Sequence, residues 1–381
     1  MLTLKNADQA LKDYYLNAVA VELSNASPFF SAIEKSAENV SGKNASMAIV
    51  AKGAKSIAVT DEDGDLPRPY SNRYYNVSVP LKNIYGTIEI SDKMIRASKN
   101  SEGAFINVLN AEMQGLIECA KDSFARMLFS DGSGKIATLG EKVEPFTYKI
   151  DNLKNIEEGT CVAISNGNII CYYDVPVVGV DAENGTVTLE TQADYSLDGM
   201  DVVDPVTYKK EVIGLGGLFN NAPLYGFAKD NEPYFQGYKV ELNSTPTEEQ
   251  ILEVIDHLAE SADSQVDMIL CSYSMRRKIA KMISSGKTIV NSIDVHAGLG
   301  GIYVNGIPVI AEKYCPENEI YFTNTKDFVL AQLCDWEWIE DEDGKILKQV
   351  AGKAAYSATL VKYAELICKK PCGQGMIVVK G

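Results

Sequence analysis

Between residues 42 and 135 the pattern of apolar and polar positions predicts a long β-hairpin that leads into one long amphipathic helix. The two strand candidates, Ser46–Lys52 and Tyr74–Leu81, are rich in β-branched and aromatic residues and enclose a polar segment, as is typical of hairpins. If about ten residues on each side extend at about 3.3 Å per residue, the tip stands about 30 Å from the body. An arm of that length needs a surface to lie on.

The helix is predicted from Glu102 to about Ser130, because apolar residues recur there at helical spacing and form one stripe. Asn100 or Ser101 can cap its start, and Asp131–Gly134 stops it. At about 1.5 Å per residue the helix would be about 40 Å long. Taken alone, it is more typical of a buried helix in any large domain. Its apolar stripe comprises Phe105, Val108, Leu109, Met113, Leu116, Ile117, Ala120, Phe124, Met127 and Leu128.

On either side of this region the pattern changes. Before it, the periodicity predicts an N-terminal arm with a helix over Ala7–Leu23, ended by Ser27–Phe30, and a short helix over Ser31–Val40. After it, residues 136–213 predict short strands, typical of a small β-barrel or β-sandwich inserted into another domain. Asn184–Gly185 indicates a two-residue hairpin turn there. The strand candidates are Cys161–Ile164, Asn168–Tyr173, Val175–Val180, Thr186–Glu190 and Val202–Pro205.

After a glycine-rich turn at Gly214–Asn221 the pattern becomes α/β, with a capped helix over Thr247–Ala262 and a second helix over Tyr273–Ser284. The last part returns to β character, where Trp336–Glu340 and Lys345–Val350 flank an Asp-Gly turn. Further strand candidates are Val266–Cys271, Gly301–Val304, Ile307–Ala311, Ile320–Thr323, Ala354–Ile367 and Met376–Val379.

Composition is that of a soluble globular protein, since 381 residues allow two or three packed units and 46% of them are hydrophobic. No apolar run approaches the roughly 18 to 20 residues that span a bilayer, and the N-terminus lacks a signal pattern. We therefore expect no membrane partner and folding in a cytoplasm. The net charge of −16 argues against a broad nucleic-acid-binding surface. The dense basic cluster Arg276–Lys278 is interpreted as a solvated helix face.

Cysteine and histidine positions predict neither a metal site nor catalysis. The eight cysteines contain no CxxC pair, and most lie in apolar patterns, which favours reduced, buried thiols. Cys368 and Cys372 are closest in sequence, but neither His257 nor His296 is near them. No nucleophile-elbow pattern is present either. We therefore expect no catalytic residue, no metal, no cofactor and no enzymatic activity.

Three motifs resemble known ligand loops but lack required residues. Gly214–Phe219 lacks the third glycine of a dinucleotide fingerprint and is interpreted as a turn. Asp131–Lys135 resembles a phosphate loop, but Ile136 replaces the required Ser or Thr, so it is interpreted as a helix stop. Asp61–Asp65 resembles the start of a calcium loop, yet Leu66 takes the glycine position. A solvated loop tip is the favoured interpretation.

Three further motifs, Val79–Ser91, Gly214–Asn220 and Val304–Val309, occur in the order arm, hairpin, long helix, β insertion, α/β part and β-rich return. In that order they resemble tailed-phage major capsid proteins of the Hong Kong 97 type. The first motif resembles the strand from that family's E-loop to its spine helix, the second the turn after the spine, and the third a strand pair of its A-domain. The resemblance covers nearly the whole chain, and residues 136–213 resemble the insertion domains of some members.

The resemblance implies an α+β fold and a structural subunit that assembles with itself, as pentamers and hexamers, into an icosahedral virion shell in the host bacterial cytoplasm. Portal and scaffolding proteins would be further partners, and double-stranded DNA would be enclosed without sequence-specific binding. No long charged scaffolding segment precedes the arm, so a separate or removed scaffold is expected. The implied domains are the N-terminal arm 1–41, E-loop hairpin 42–91, P-domain spine helix 92–135, inserted β domain 136–213, A-domain 214–330 for the most part, P-domain return strands 331–363 and final A-domain strands 364–381.

The hairpin would then supply the inter-subunit contacts, through Lys52, Lys55, Asp61, Glu62, Asp63, Asp65, Arg68 and Arg73. The lysine-to-asparagine cross-link of some members is not supported, because residues 354–381 contain no asparagine. Two alternatives stay open. One is an encapsulin-like cellular nanocompartment shell of the same fold. The other, from a different class, is a two-domain hydrolase that uses the α/β part and a carboxylate pair.

Overall fold

The structure is a computed structural model, and it describes residues 27–52, 57, 59–66, 68, 71–93, 102–190, 197–286, 301–342 and 344–380. The helix predicted over residues 7–23 lies outside these ranges. Internal contacts divide the chain into two compact units. The main unit holds the described residues up to Ala125, Asn221–Lys313 and the chain from Glu317 onward, and the barrel unit holds Arg126–Asn220 with Tyr314–Pro316.

The described residues contain α-helices and β-strands throughout. The helices are α1 (Pro28–Ala32), α2 (Glu102–Met127), α3 (Gly216–Phe219), α4 (Glu248–Ala262) and α5 (Tyr273–Gly286). The strands are β1 (Glu34–Ser36), β2 (Val40–Ser41), β3 (Asn44–Lys52), β4 (Arg73–Pro80), β5 (Lys82–Ser91), β6 (Lys135–Glu144), β7 (Thr147–Ile150), β8 (Cys161–Ser165), β9 (Ile170–Asp181), β10 (Thr186–Leu189), β11 (Asp201–Val203), β12 (Tyr238–Leu242), β13 (Met268–Cys271), β14 (Ile302–Val304), β15 (Ile307–Ala311), β16 (Glu319–Thr323), β17 (Phe328–Trp338), β18 (Lys348–Gln349), β19 (Ala355–Cys368) and β20 (Gly375–Val379).

The first sheet of the main unit is organised around β19. This strand pairs antiparallel with β5 from Ala355 to Ala364, and antiparallel with β17 as far as Cys368. The long helix α2 packs on β5 at Gly86, where an added Cβ would lie 2.6 Å from Leu116 Cδ1. The absence of a side chain at Gly86 lets Leu116 approach this closely. The helix and the sheet are therefore in direct contact at that point.

A buried lysine strengthens the same contact. Lys362 on β19 is fully buried, and its Nζ donates to Asp335 Oδ1 at 2.6 Å and to Gln332 Oε1 at 2.9 Å. Nζ also lies 5.9 Å from the ring centroid of Phe124 on α2 and 5.6 Å from that of Trp336. Burial lowers the pKa of Lys362, and the carboxylate of Asp335 opposes that shift. The cation is held by hydrogen bonds and aromatic faces, as a buried charge requires.

The second sheet of the main unit has the strand order β12-β20-β16-β13-β15-β14. Alternate strand residues, such as Ile269 and Cys271 on β13 and Ile320 and Phe322 on β16, form one core with the apolar sides of α4 and α5. Successive side chains of a strand point to opposite faces, so both helices cover the same face. Thr247 begins α4 through a complete capping box, and it is one of the two cap candidates, Thr245 and Thr247, that the sequence offers.

The segment before the hairpin is clamped into the main unit. The Ser27 hydroxyl and the Phe29 backbone N–H both donate to Glu312 Oε1, at 3.0 and 2.9 Å. The Phe29 ring meets Phe328 edge-on, and Phe30 meets Phe124 in the same way. Burial raises the pKa of Glu312 to about 7, although the two donors oppose the shift. Burial thus makes the neutral form of Glu312 more stable than that of an exposed glutamate.

The barrel unit contains a closed six-stranded barrel with the order β10-β7-β6-β11-β8-β9. Its interior is filled by apolar side chains from all six strands. A small β-barrel or β-sandwich was predicted over residues 136–213, and the barrel strands run from Lys135, one residue before that range, to Val203. In sequence, the long segment of this unit lies between two segments of the main unit.

Two local predictions in the barrel are wrong. Residues 170–181 form one strand, because Asp174 adopts a positive φ of 49° and bends the strand without ending it. The turn at Asn184–Gly185 spans the four residues 182–185, since Thr186 pairs with Asp181. The Asp181 carboxylate accepts from the Glu183 and Asn184 backbone N–H groups at 2.9 and 3.1 Å and stabilises this longer loop.

Tertiary pairing corrects other predictions. The helix predicted over Ser31–Val40 is wrong, because Glu34–Ser36 form β1, which pairs in parallel with β17. Ser27 and Pro28, predicted to end a helix, instead begin α1. The two segments beside the Asp-Gly turn overlap β17 and β18, and each of these strands pairs with β19. Helix α2 ends at Met127, where the prediction was about Ser130. Strand β12 was not predicted.

The buried carboxyl of Glu312 predicts a pH-dependent stability. An unfolded glutamate titrates near pH 4.5, whereas Glu312 in the folded protein titrates near 7. The stabilisation is therefore complete below pH 4.5 and is lost as the pH rises through 7. We expect the free energy of unfolding to fall by on the order of 2–3 kcal/mol over this range. Urea titrations at several pH values would measure it.

The matched variant is Glu312→Gln, which keeps a carbonyl oxygen for both donors and does not titrate. Its free energy of unfolding should not show the fall between pH 4.5 and 7 that Glu312 causes in the wild type. Glu38→Gln, at an exposed position of the same segment, should keep the wild-type profile. Identical profiles for wild type and Glu312→Gln would contradict the assignment.

Candidate subunit interface: the hairpin and its anchor

The hairpin of β3 and β4 is a ribbon with one buried and one exposed face. Its register runs from Asn44↔Pro80 to Lys52↔Arg73, with a bulge between Val50 and Lys52. Along β4, Tyr75, Val77 and Val79 are buried, while the residues between them are exposed. This alternation follows the two-residue period of a strand. The predicted hairpin is confirmed. Its base, where Tyr75, Val77 and Val79 are buried, packs on its own chain instead of standing free.

An aromatic cluster anchors the buried face. The ring of Tyr75 lies 5.4 Å from Phe227, 5.7 Å from Tyr234 and 5.1 Å from Phe235, centroid to centroid. Phe227 and Phe235 stack on each other at 4.4 Å. Edge and offset aromatic pairs of this kind contribute about 0.5–1.5 kcal/mol each beyond the area that they bury. We call Tyr75 and its three partners the anchor cluster.

A carboxylate completes the anchor. Glu232 accepts from the Tyr75 hydroxyl and from Arg73 Nη2, at 3.1 Å to one oxygen and 2.9 Å to the other. The Arg73 guanidinium also lies over the Tyr75 ring at 4.9 Å. Burial and the hydrogen bond to Glu232 raise the pKa of Tyr75, so its hydroxyl stays protonated and donates. The cation, ring and carboxylate hold the end of β4 in one position.

The anchor segment is tied in turn to β19. The Tyr225 hydroxyl accepts from the Cys368 backbone N–H at 2.8 Å and donates to the Leu366 carbonyl at 3.3 Å. The Tyr234 hydroxyl donates to the Lys369 carbonyl at 2.8 Å. Burial raises the pKa of both tyrosines, which keeps them neutral. The hairpin base is therefore connected through residues 225–235 to the central strand of the first sheet.

Sequence reasoning missed this anchor. Its signal is visible in retrospect, because residues 225–235 contain four aromatic residues beside Pro233. Aromatic side chains in a loop commonly pack against another part of the chain. The sequence did not indicate which part, since Tyr75 is 157 residues away from Glu232.

The tip beyond the anchor is exposed. Ile57 is 97% exposed, Val59 100% and Leu66 87%. A turn between them is closed by the Gly64 N–H, which donates to the Asp61 carbonyl at 2.9 Å. Nearly complete exposure of three apolar side chains is unusual on a free surface, where such groups mark contact sites.

The predicted interface residues have different outcomes. Asp61, Glu62, Asp63, Asp65 and Arg68 are all exposed, and none of them forms an ion pair with another described residue. Arg73 is exposed but is bound by Glu232 of its own chain. For Lys52 only the backbone pairing with Arg73 is described. Lys55 lies outside the described residues. Contacts with a second subunit remain a prediction for all eight.

Possible metal ligands are dispersed in the described part of the chain, which contains no cluster of three or more His, Cys, Asp or Glu side chains that could hold a metal ion. His257 stacks on Tyr238 at 3.8 Å, whereas His296 lies outside the described residues. Cys271, Cys315 and Cys368 are buried as predicted, but Cys119, Cys161 and Cys171 are exposed. Among the described helices, none is long and apolar enough to cross a bilayer.

Comparison with solved structures identifies the fold. No family model and no curated protein matches the chain. The cyanophage A-1(L) capsid asymmetric unit matches 92% of this chain and 92% of its own chain, with a TM-score of 0.56 and 10% identity. The capsid of the native GTA particle matches 93% and 90%, with a TM-score of 0.51 and 9% identity. The capsid of the empty GTA particle matches the same shares at a TM-score of 0.51 and 10% identity.

The chain therefore has the α+β fold of these phage and particle capsid proteins, the Hong Kong 97-like fold that the order of its elements predicted. The match extends over nearly all of both chains. At 9–10% sequence identity, these structural matches establish the fold alone.

The anchor makes a specific mutational prediction. Tyr75→Phe keeps the ring but removes the donor to Glu232, and should lower the free energy of unfolding by about 1 kcal/mol. Tyr75→Ala removes the whole ring and should cost about 3 kcal/mol or more. Tyr74→Phe, on the exposed face of the same strand, is the control and should change it by less than about 0.5 kcal/mol. Urea unfolding would measure all three, and equal effects at Tyr74 and Tyr75 would contradict the anchor.

Proposed function

We propose that this protein is a structural subunit that assembles with copies of itself into a closed icosahedral shell, the head of a tailed phage that encloses double-stranded DNA. The observation that carries the proposal is the capsid-protein fold, matched over 92% of both chains. The work of such a subunit is done by its interfaces and not by an active site.

The hairpin supports this role because its two parts differ. The base is held by the anchor cluster and Glu232, whereas the tip exposes apolar and charged side chains together. A fixed base reduces the entropy that the tip must lose when it binds. The candidate contacts at Lys52, Lys55, Asp61–Asp65, Arg68 and Arg73 are proposed to lie against a neighbouring subunit. Each exposed ion pair contributes up to about 1 kcal/mol, but a closed shell repeats it many times.

The observed elements suggest the family's domain roles. The hairpin of β3 and β4 corresponds to the E-loop, α2 to the spine helix, and the sheet around β19 to the P-domain. The sheet that carries α4 and α5 corresponds to the A-domain, and the closed barrel to an insertion domain. The barrel has its own apolar core, which favours support of subunit folding slightly over decoration of the shell surface.

The net charge of the chain bears on how DNA would be packaged. A charge of −16 disfavours tight binding of nucleic acid, so DNA is proposed to be enclosed and not bound in a sequence-specific way. Portal and scaffolding proteins are the further proposed partners. The shell would be assembled in a bacterial cytoplasm and persist as the virion capsid.

The nearest rival is an encapsulin-like nanocompartment shell, which uses the same fold to enclose an enzyme. Nucleic-acid-free shells that co-purify with an enzyme would favour it. A two-domain hydrolase is the rival from another class, and turnover of a substrate by a monomer or small oligomer would favour that.

Assembly is the direct test. We expect negative-stain electron microscopy and light scattering of the purified protein to show closed shells, rings of five or six subunits, or tubes. If the protein stays monomeric alone, under crowding and with its scaffold, the capsid role fails.

Hydrogen exchange gives a second prediction at the level of residues. Strand β4 is paired with β3 and buries Tyr75, Val77 and Val79 in the single subunit, so it should be protected before and after assembly. The described tip residues, 57, 59–66 and 68, are exposed in the single subunit. They should gain protection of at least about tenfold on assembly, because they become covered. Equal exchange of the tip in both states would argue against its role as a contact.

A further inference from the structure

The hairpin tip combines two kinds of recognition chemistry. Ile57 and Val59 are spaced by two residues before the turn, Leu66 follows it, and all three are more than four-fifths exposed. The turn between them carries four carboxylates, and none of them pairs with a described cation. A complementary surface must therefore offer apolar side chains beside unneutralised positive charge.

The barrel unit offers such a surface at one end. The turn between β8 and β9 exposes Ile169 by 63%, and the loop after β11 exposes Val206 by 73%. Lys209 and Lys210 are exposed beside them: Lys209 Nζ donates to the Asn168 carbonyl at 2.8 Å, and Lys210 Nζ to the Val206 carbonyl at 3.2 Å. We call Ile169, Val206, Lys209 and Lys210 the barrel-end patch. Neither lysine forms an ion pair with a carboxylate in the described part of the chain.

The barrel-end patch is held rigidly. The Asp204 carboxylate accepts from the Val206 N–H at 2.8 Å, and the Tyr208 hydroxyl bonds Ser165 Oγ at 3.0 Å. Arg126 pairs with the buried Glu211, which also accepts from the Thr207 hydroxyl at 2.8 Å. A surface fixed in this way loses little conformational entropy on binding.

Another exposed surface fits the tip less well. The face of the first sheet that carries Tyr85 is apolar enough, but it also presents the carboxylate of Glu337, and Lys353 there is already paired with Glu89. An acidic tip placed there would meet like charges, which disfavour association.

We propose that the acidic, apolar hairpin tip of one copy docks on the barrel-end patch of a second copy. Ile57, Val59 and Leu66 would bury their side chains against Ile169 and Val206, while Asp61 and Asp63 pair with Lys209 and Lys210. The inference rests on the proposed shell function and names the partner surface of the hairpin. Because the two surfaces differ, the contact is heterologous and passes from one copy to the next.

Charge reversal on each side tests the pairing. Asp61→Lys with Asp63→Lys, and separately Lys209→Glu with Lys210→Glu, should each raise the protein concentration needed for assembly at least about tenfold. The four-substitution variant should regain most of the wild-type assembly, since complementarity is restored. Lys142→Glu with Lys149→Glu reverses two exposed lysines elsewhere on the barrel and should assemble like wild type. Thermal unfolding of each variant monitors the subunit fold.

The apolar half has its own test. A photo-reactive side chain at position 59 should cross-link to residues 166–170 or 204–210 of another copy, as mass spectrometry of the linked peptides would show. Linkage to residues 83–89 or 357–363 would overturn the proposal in favour of the sheet face. So would full assembly of either charge-reversed variant, or no recovery in a folded four-substitution variant.

These outcomes separate the inference from the function. If wild type forms shells but the cross-link maps elsewhere, the shell function stands and the docking surface is wrong. If wild type forms no shell, the function fails, and the docking surface is judged by the cross-linked dimer in concentrated solution. Absence of that dimer would overturn it as well.

Discussion

The antiparallel pairing between β5 and β19 is the constraint on which the main unit depends. It joins strands whose paired residues Thr87 and Thr359 are 272 positions apart and share a hydrogen bond at 3.1 Å. On this pairing rest the contact of α2 at Gly86, the burial of Lys362, and the second pairing of β19 with β17. Loop closure over such a distance costs entropy before any contact forms. The continuous sheet and its core must offset that cost together.

The same strand connects the structural core to the proposed contact surface. At the end of β19, the Cys368 N–H donates to the Tyr225 hydroxyl. The ring of Tyr225 in turn contacts Phe235, which belongs to the anchor cluster around Tyr75. The hairpin base is thereby part of the packed body, while its tip remains outside. A rigid base with an exposed tip suits a part that must reach a neighbour without losing its direction. The buried Glu312 gives the N-terminal segment a comparable clamp, held by hydrogen bonds from the Ser27 hydroxyl and the Phe29 N–H.

How far the functional surface could be predicted depended on the kind of signal. The hairpin and its acidic tip followed from strand composition and from Asp61–Asp65, which are local features. The anchor could not be found, because Glu232 becomes a partner of Arg73 and Tyr75 only when distant segments meet. The apolar residues Ile57, Val59 and Leu66 were not chosen either, since an apolar residue in a sequence is expected to be buried. Their exposure is a property of the folded chain.

By itself, the sequence determined the local elements: the stripe along α2, the capping box at Thr247 and the β character of the barrel region. Each depends on neighbouring residues, whose side-chain direction follows from the backbone period. Only the tertiary structure decided which strands pair and where they end. Residues after Ile33 became β1 because β17 offered an edge, and Asp174 became a bend within one strand. Pairing energy comes from the partner strand, which the local sequence does not contain.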